Sequence, residues 1–385
     1  MIQAEWQRLY LICVVNNMNS EQLRDTVLEI DLKQIKRNYK LIRELCGEDV
    51  AIMPVIKANA YGMGAAGIAP TLMDCGATYL AVASLNEALE LRQANQDYPI
   101  FILGHTPDRL APVVIENNIT QTVVSYQQAK AFSDAAIRLK KKVTVHLKVD
   151  TGFHRLGISD EEEIYRIALL PGLNAEGIFT HLALVNDEEN ERQFKLFMQT
   201  VRHLQQRGVC FRYQHMADSI SLVDYPQYRL NMVRPGALLF GLRGFHKGFL
   251  QVEPCMKLHT RISQIHEIKS GEGVGYDYLW RASRDTRVGT LPIGYADGYP
   301  RNMRGKGYAT VDGVKCPIIG VICMDQCMID LGSVPQAREG DLAIIYGDGR
   351  GNTMSIQEAA NLAETNKNEI TARIAKRVIR VYNEI

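Results

Sequence analysis

Lys57 closes the apolar run Ala51-Ile-Met-Pro-Val-Ile56 and is followed at once by Ala58-Asn-Ala-Tyr-Gly62. A lysine at the mouth of a buried strand holds its ammonium partly out of water, which lowers its pKa and favours a nucleophilic amine. The glycine-bearing turn after it lets backbone and a tyrosine approach a ligand closely. That combination suits a lysine that carries an aldehyde cofactor as a Schiff base. Alone, the motif does not separate this chemistry from a solvated strand-end cap, so the elements that position it must decide.

From Leu28 to about Leu242 short β-branched runs alternate with amphipathic helical stretches. The runs are Val55–Lys57, Leu80–Ser84, Ile100–Gly104, Thr122–Ser125, Val145–Asp150, Gly177–His181, Tyr213–Ala217 and Asn231–Arg234. The patterns Leu85–Asn95, Tyr126–Lys142 and Glu188–Gly208 read as helices. Eight such strand–helix units predict an α/β fold with an N-terminal (β/α)8 TIM barrel. A doubly wound open sheet is the alternative, disfavoured because no Gly-rich dinucleotide turn follows the first strand. Barrel enzymes gather catalysis at the carboxyl ends of strands, and Lys57, Arg155, His181, Ser219 and Arg234 all fall at or just after such ends.

After Leu242 the texture becomes β-rich, with runs such as Arg287–Pro292, Cys316–Ile322 and Leu342–Tyr346 and one helical stretch, Ser355–Ala363. The expected organisation is an N-terminal extension over 1–25, a barrel over 26–245, and a C-terminal mostly-β domain over 246–385. The N-terminal strand has the option of packing with the second domain. Residues 1–17 are expected to contribute little to function, and no signal peptide is expected because Leu9–Val15 lacks a following small-residue cleavage site.

A formal net charge of +1 argues against a nucleic-acid partner, and no run approaches the length of a membrane span. Eight cysteines are scattered without paired metal-ligand spacing, as expected of reduced cysteines in a cytosolic protein without a metal.

The segments Val55-Ile-Lys-Ala-Asn-Ala-Tyr-Gly62, Lys148-Val-Asp-Thr-Gly-Phe-His-Arg-Leu-Gly157, Phe179-Thr-His181, Asn231-Met-Val-Arg-Pro-Gly236, Gly294-Tyr-Ala-Asp-Gly298 and Ile322-Cys-Met-Asp-Gln-Cys-Met328 carry a resemblance. In that order they are similar to the fold-type III pyridoxal-phosphate amino-acid racemases, the alanine racemase family in particular, from about Thr26 to the C-terminus.

The resemblance implies that Lys57 binds pyridoxal 5'-phosphate and acts as a base on one face of the substrate's α-carbon. Tyr276, in Gly273-Val-Gly-Tyr276, acts on the opposite face from the partner subunit of a homodimer with shared sites. Arg234 faces the pyridine nitrogen. A donor-only guanidinium leaves that nitrogen unprotonated, which weakens the electron sink and favours quick reprotonation.

His181 is implied to bond Arg234. Phosphate falls to Tyr61, Ser219 and the N–H groups of Gly236 and Ala237, with Lys376 standing where the family often has a tyrosine. Arg155 serves cofactor and substrate carboxylate, fixed by a carbamylated Lys148. Tyr295, Met324 and Asp325 line the substrate mouth. The implied reaction is interconversion of L- and D-alanine, supplying peptidoglycan; a serine or broader amino-acid racemase is the alternative. A decarboxylase of the same barrel type needs an acidic partner for the pyridine nitrogen, and Arg234 argues against it.

Overall fold

The computed structural model describes residues 24–384. The expectations for residues 1–17 lie outside the described residues. Contacts divide the chain into a unit spanning Gln34–Glu253 and a second formed by the described residues up to Lys33 with those from Pro254 onward.

The described chain starts with strand β1 (Val27–Asp31) and helix α1 (Leu32–Cys46). The barrel strands follow as β2 (Ala51–Ile52), β3 (Leu80–Val82), β4 (Ile100–Ile102), β5 (Ile119–Val123), β6 (Val143–Lys148), β7 (Leu173–Phe179), β8 (Tyr213–His215) and β9 (Met232–Val233). They pair in parallel in the order β2-β9-β8-β7-β6-β5-β4-β3, and a bridge between Val55 and Ala81 joins the ends. The intervening helices are α2 (Ala65–Asp74), α3 (Leu85–Ala94), α4 (Ala111–Glu116), α5 (Tyr126–Arg138), α6 (Glu161–Ala168), α7 (Asp187–Gln206) and the short α8 (Ser221–Asp224). The fold is thus the expected α/β barrel. Its strands are legible because both faces are covered, so each reads as a near-continuous apolar run.

The barrel is filled rather than hollow. Met53, Val55, Ala81, Phe101, Phe179, Tyr213 and Met232 pack together inside it. Burying each phenylalanine contributes roughly 1.5–3 kcal/mol. Two histidines share this apolar space, His146 on β6 and His215 on β8, both fully buried. The His215 ring stacks on Phe179 at 4.6 Å between centroids.

The second unit is a nine-stranded sheet and a small ribbon. Its further strands are β10 (Met256–Arg261), β11 (Gln264–Ile268), β12 (Gly273–Val274), β13 (Trp280–Arg281), β14 (Thr286–Leu291), β15 (Tyr308–Val311), β16 (Val314–Ile319), β17 (Cys327–Asp330), β18 (Leu342–Tyr346) and β19 (Ile379–Asn383). β1 lies between β10, antiparallel, and β19, parallel. This is why residues up to Lys33 group with the C-terminal unit, whereas the barrel unit runs to Glu253, past the expected boundary at 245. Helices α9 (Ile356–Leu362) and α10 (Lys367–Ala372) complete the unit, and Ser355 caps α9 by accepting the Glu358 N–H.

Candidate active site

Just beyond the Val55 bridge the backbone does something unusual. Ala58, Asn59, Ala60 and Tyr61 all adopt left-handed conformations, with φ of 51°, 54°, 53° and 54°. For L-residues this costs roughly 1–2 kcal/mol each, so surrounding bonds must hold the turn. The Asn59 carboxamide oxygen accepts the Ala65 N–H at the start of α2, and Gly64 N–H bonds to the Asn59 carbonyl. Glu87 accepts the Ala58 N–H. Lys57, the residue entering this turn, is thereby fixed at the barrel rim.

Although Lys57 is exposed in the single chain, its amine is surrounded closely enough by protein to lower its pKa. Desolvation is the main cause and Arg155 adds repulsion, while Glu87 and Asp218 act the other way. The amine is therefore more readily neutral, and so more nucleophilic, than an ordinary lysine.

Arg234 follows β9 and is 4% exposed. Its guanidinium donates to the carbonyls of Thr180 at 3.0 Å and Met216 at 2.9 Å, and to His215 Nδ1 at 2.8 Å. It reaches His181 Nδ1 only at 3.4 Å, so His215 is the closer histidine partner. Burial brings its pKa down to about 10, still charged at neutral pH. Burial, reinforced by Arg234, drops His181 to about 4 and keeps it neutral.

The chain of contacts continues past His215. His215 Nε2 lies 2.8 Å from His146 Nδ1, and His146 Nε2 faces Glu176 at 3.6 Å. Glu176 is the extra residue of a bulge in β7, because Val145 pairs Ala175 and His146 pairs Gly177. A Cβ on Gly177 would meet the His146 ring at 2.6 Å, so glycine leaves the room that the imidazole occupies.

Lys148 stands two residues beyond His146 on β6 and is 5% exposed. Burial and the charges of Arg155 and Arg234 lower its pKa to about 8. Among the described residues no carboxylate comes within ion-pair distance of it. Arg155 lies over the Phe153 ring at 4.3 Å.

A second cluster forms an anion cradle. Ser219 Oγ accepts the Gly236 N–H at 2.8 Å, and the Ala237 N–H faces the Tyr61 hydroxyl. A Cβ on Gly236 would stand 2.4 Å from Tyr61 Oη. Desolvation, with Asp218 nearby, pushes Tyr61 up to about 12, so the phenol stays a donor. Hydroxyls and backbone N–H groups converging around a glycine suit a phosphate.

The C-terminal unit carries the remaining expected residues. Tyr276 follows Gly275, whose φ is 74°, and is 66% exposed. With Met324, Asp325 and His266 it lines a groove of about 750 Å³. Tyr295 N–H bonds to the Cys323 carbonyl and Ala296 N–H to that of Met324, which zips the two loops together. A Cβ on Gly294 would collide with both carbonyls at 2.4 Å. Arg377 ties Asp325, at 2.7 Å, to the buried Asp297, which Arg24 also grips at 2.5 Å. Lys376 is exposed between α10 and β19.

Sequence reasoning missed His146, His215, Glu176, Glu87 and Asp218. The first two carried a signal: His146 stands two residues before Lys148, and His215 two after Tyr213, so strand alternation turns each pair to one face.

The closed parallel barrel followed by a strand-rich second unit, with a desolvated lysine beyond the first barrel strand, defines the class as a two-unit α/β-barrel protein. Comparison narrows the class. The alanine racemase N-terminal domain profile matches residues 30–244, and the C-terminal domain profile matches residues 255–382. An alanine racemase of Clostridium tetani is 38% identical over 373 residues, covering 94% of this chain and 96% of that one. One from Desulforamulus reducens is 38% identical over 92% of this chain and 98% of its own. The structure of Clostridium difficile alanine racemase in complex with cycloserine superposes with a TM-score of 0.88 at 34% identity, covering 94% and 96% of the two chains. The Bacillus anthracis enzyme with bound L-Ala-P gives 0.86 at 31% identity, over 94% and 95%. The chain belongs to the alanine racemase family.

Proposed function

We propose that this chain interconverts L- and D-alanine with pyridoxal phosphate held on Lys57, as an isomerase supplying D-alanine for peptidoglycan. The observation that carries the reading is the barrel constellation itself: a depressed lysine amine at the rim, a donor-only arginine beneath, and an anion cradle between strand ends.

When bound, pyridoxal phosphate supplies an aldehyde and a conjugated ring that spread the electron pair left when the Cα–H bond breaks. Lys57 Nζ takes the Cα proton on one face, and Tyr276 Oη, from a second copy of the chain, returns one on the other. A phenol exposed beside the apolar Tyr278, Leu279 and Met324 is a surface that suits cover by such a copy.

Arg234 cannot give up a proton near neutral pH, so the charge stays on the guanidinium and the ring remains a modest sink. Tyr61, Ser219, Gly236 and Ala237 hold phosphate, with Lys376 as a further cation for it. Arg155 takes the substrate carboxylate, assisted by Tyr295, Met324 and Asp325 at the substrate mouth. His181 and His215 hold Arg234 in place. Carbamylation of Lys148 by CO₂ turns an unpaired cation into an anion for Arg155; its depressed pKa supports this, because only the neutral amine reacts.

A chiral assay across amino acids with the cofactor-loaded protein tests the reading. Racemisation of alanine is expected, with serine as a weaker substrate, since a small pocket rejects one added hydroxyl poorly. Turnover of another amino acid without alanine would overturn it.

A further inference from the structure

Ser84-Leu-Asn-Glu87 opens α3 with the pattern of a capping box, in which the glutamate would bond back to the N-cap N–H. It does not. Ser84 makes no side-chain capping bond, and the Glu87 carboxylate is used elsewhere. Its Oε2 accepts the Ala83 N–H at 2.8 Å, and its Oε1 crosses to the Ala58 N–H at 2.6 Å. Ala83 directly follows β3, and Ala58 is the first left-handed residue after Lys57. One carboxylate thus ties two neighbouring strand ends at the point where the backbone turns into its least favoured conformation.

We propose that Glu87 is a positioning residue that clamps the left-handed turn, sets the direction in which Lys57 leaves the rim, and places a negative charge beside its amine. The inference rests on the reading of Lys57 as the cofactor-binding lysine. The charges that bear on that amine are Arg155, Arg234 and Lys148 on the positive side and Glu87 and Asp218 on the negative. Removing Glu87's charge leaves Lys57 in more positive surroundings and lowers its pKa further. Removing the clamp, by contrast, loosens the amine's aim without changing its charge state. The two effects separate.

The test is the rate at which added pyridoxal phosphate becomes covalently trapped at Lys57 by borohydride, followed against pH with peptide mapping, alongside melting curves. In Glu87→Gln the midpoint of the pH–rate curve is expected to move down by about one unit. The plateau rate is expected to fall about 10-fold as alignment is lost. Glu87→Asp keeps the charge but is too short to span both N–H groups, so its plateau falls while its midpoint stays. Ser84→Ala, at the cap, moves neither. A Glu87→Gln protein that melts lower yet keeps midpoint and plateau would reduce Glu87 to a helix-end residue. A Glu87→Asp protein reacting at the unaltered rate would overturn the clamp. If the unaltered chain gives no adduct at Lys57, the reading of Lys57 fails and takes this inference with it.

Discussion

The Arg234 guanidinium donates to His215 Nδ1 at 2.8 Å, and that bond sets the tautomers of two buried imidazoles in series. Arginine has no acceptor, so His215 Nδ1 is unprotonated and its proton sits on Nε2. That proton points at His146 Nδ1, 2.8 Å away, which leaves the His146 proton on Nε2, facing Glu176. A line of polar groups thus runs through an apolar barrel, hydrogen-bonded from Arg234 to His146 and then facing a carboxylate at a bulge.

The first prediction concerns acid. Burial depresses the pKa of His215, His146 and His181 below the ordinary imidazole value. As pH falls below about 6.5 the unfolded chain takes up protons that the folded chain refuses, so stability is lost on that side and is intact above it. Each histidine contributes a slope of up to roughly 1.4 kcal/mol per pH unit. His215→Phe should cost roughly 1.5–3 kcal/mol at neutral pH, because a charged donor loses its acceptor. The same variant should flatten the acid slope measured by urea unfolding. An unchanged slope would show that His215 is not held neutral.

Lys148 gives a pH dependence of the same sign in a more alkaline window. Its folded pKa of about 8 lies below the ordinary lysine value, so the folded state carries a strained cation at low pH. Between pH 8 and about 10.5 the unfolded chain keeps a proton that the folded chain has lost, and stability rises with pH. The full span is about 3 kcal/mol. Carbamylation removes the strained cation. Bicarbonate should therefore raise the melting temperature near pH 7.5, and intact mass should show one added CO₂ mapped to Lys148. Unmodified Lys148 with no response to bicarbonate would exclude the carbamate.

Gly236→Ala tests the cradle. The new methyl would stand 2.4 Å from Tyr61 Oη, and Tyr61 is itself packed against Phe240 at 5.6 Å between ring centroids. Overpacking at such a contact typically costs 1–3 kcal/mol. Most of the loss should appear as weaker retention of pyridoxal phosphate during dialysis, read from cofactor absorbance. Retention equal to the unaltered chain would move phosphate away from Gly236.

The barrel was legible because its strands declare themselves locally, as short apolar runs between amphipathic helices. What stayed hidden depends on distant partners or on backbone energetics. The sequence leaves the N-terminal strand the option of packing with the second domain, but nothing in Val27–Asp31 names β10 and β19 as its partners. The helix expected over Tyr126–Lys142 stops at Arg138, and Lys140 turns left-handed at φ 54° without a glycine to mark the end. Likewise Ala58–Tyr61 contains no glycine, so four left-handed residues in succession are invisible until Glu87 and Asn59 are seen holding them.

The site divided in the same way. Lys57, Arg234, Tyr61 and Ser219 are legible as candidates because each lies in the loop beyond a barrel strand and has chemistry of its own. His215 and Glu176 act only through a neighbour. Their roles come from a shared interior face and a bulge, neither of which a linear pattern displays.

The two-base arrangement makes the sharpest prediction, since proton exchange and inversion can be read separately. Lys57→Ala should lose covalent trapping and nearly all racemisation, by more than the 10²–10⁴-fold typical of a single acid–base group, because one residue both anchors and abstracts. Tyr276→Phe removes only a hydroxyl from an exposed residue, so the fold and cofactor retention should be unchanged. In deuterium oxide that variant should still exchange the α-proton of the enantiomer that presents it to Lys57, while the other enantiomer should be inert. Mixing Tyr276→Phe with Lys57→Ala chains then separates a shared site from a self-contained one. If Tyr276 comes from the partner, one pairing in the mixed dimer joins an intact lysine to an intact tyrosine, and racemisation should return. If each chain supplies both groups, no combination restores it.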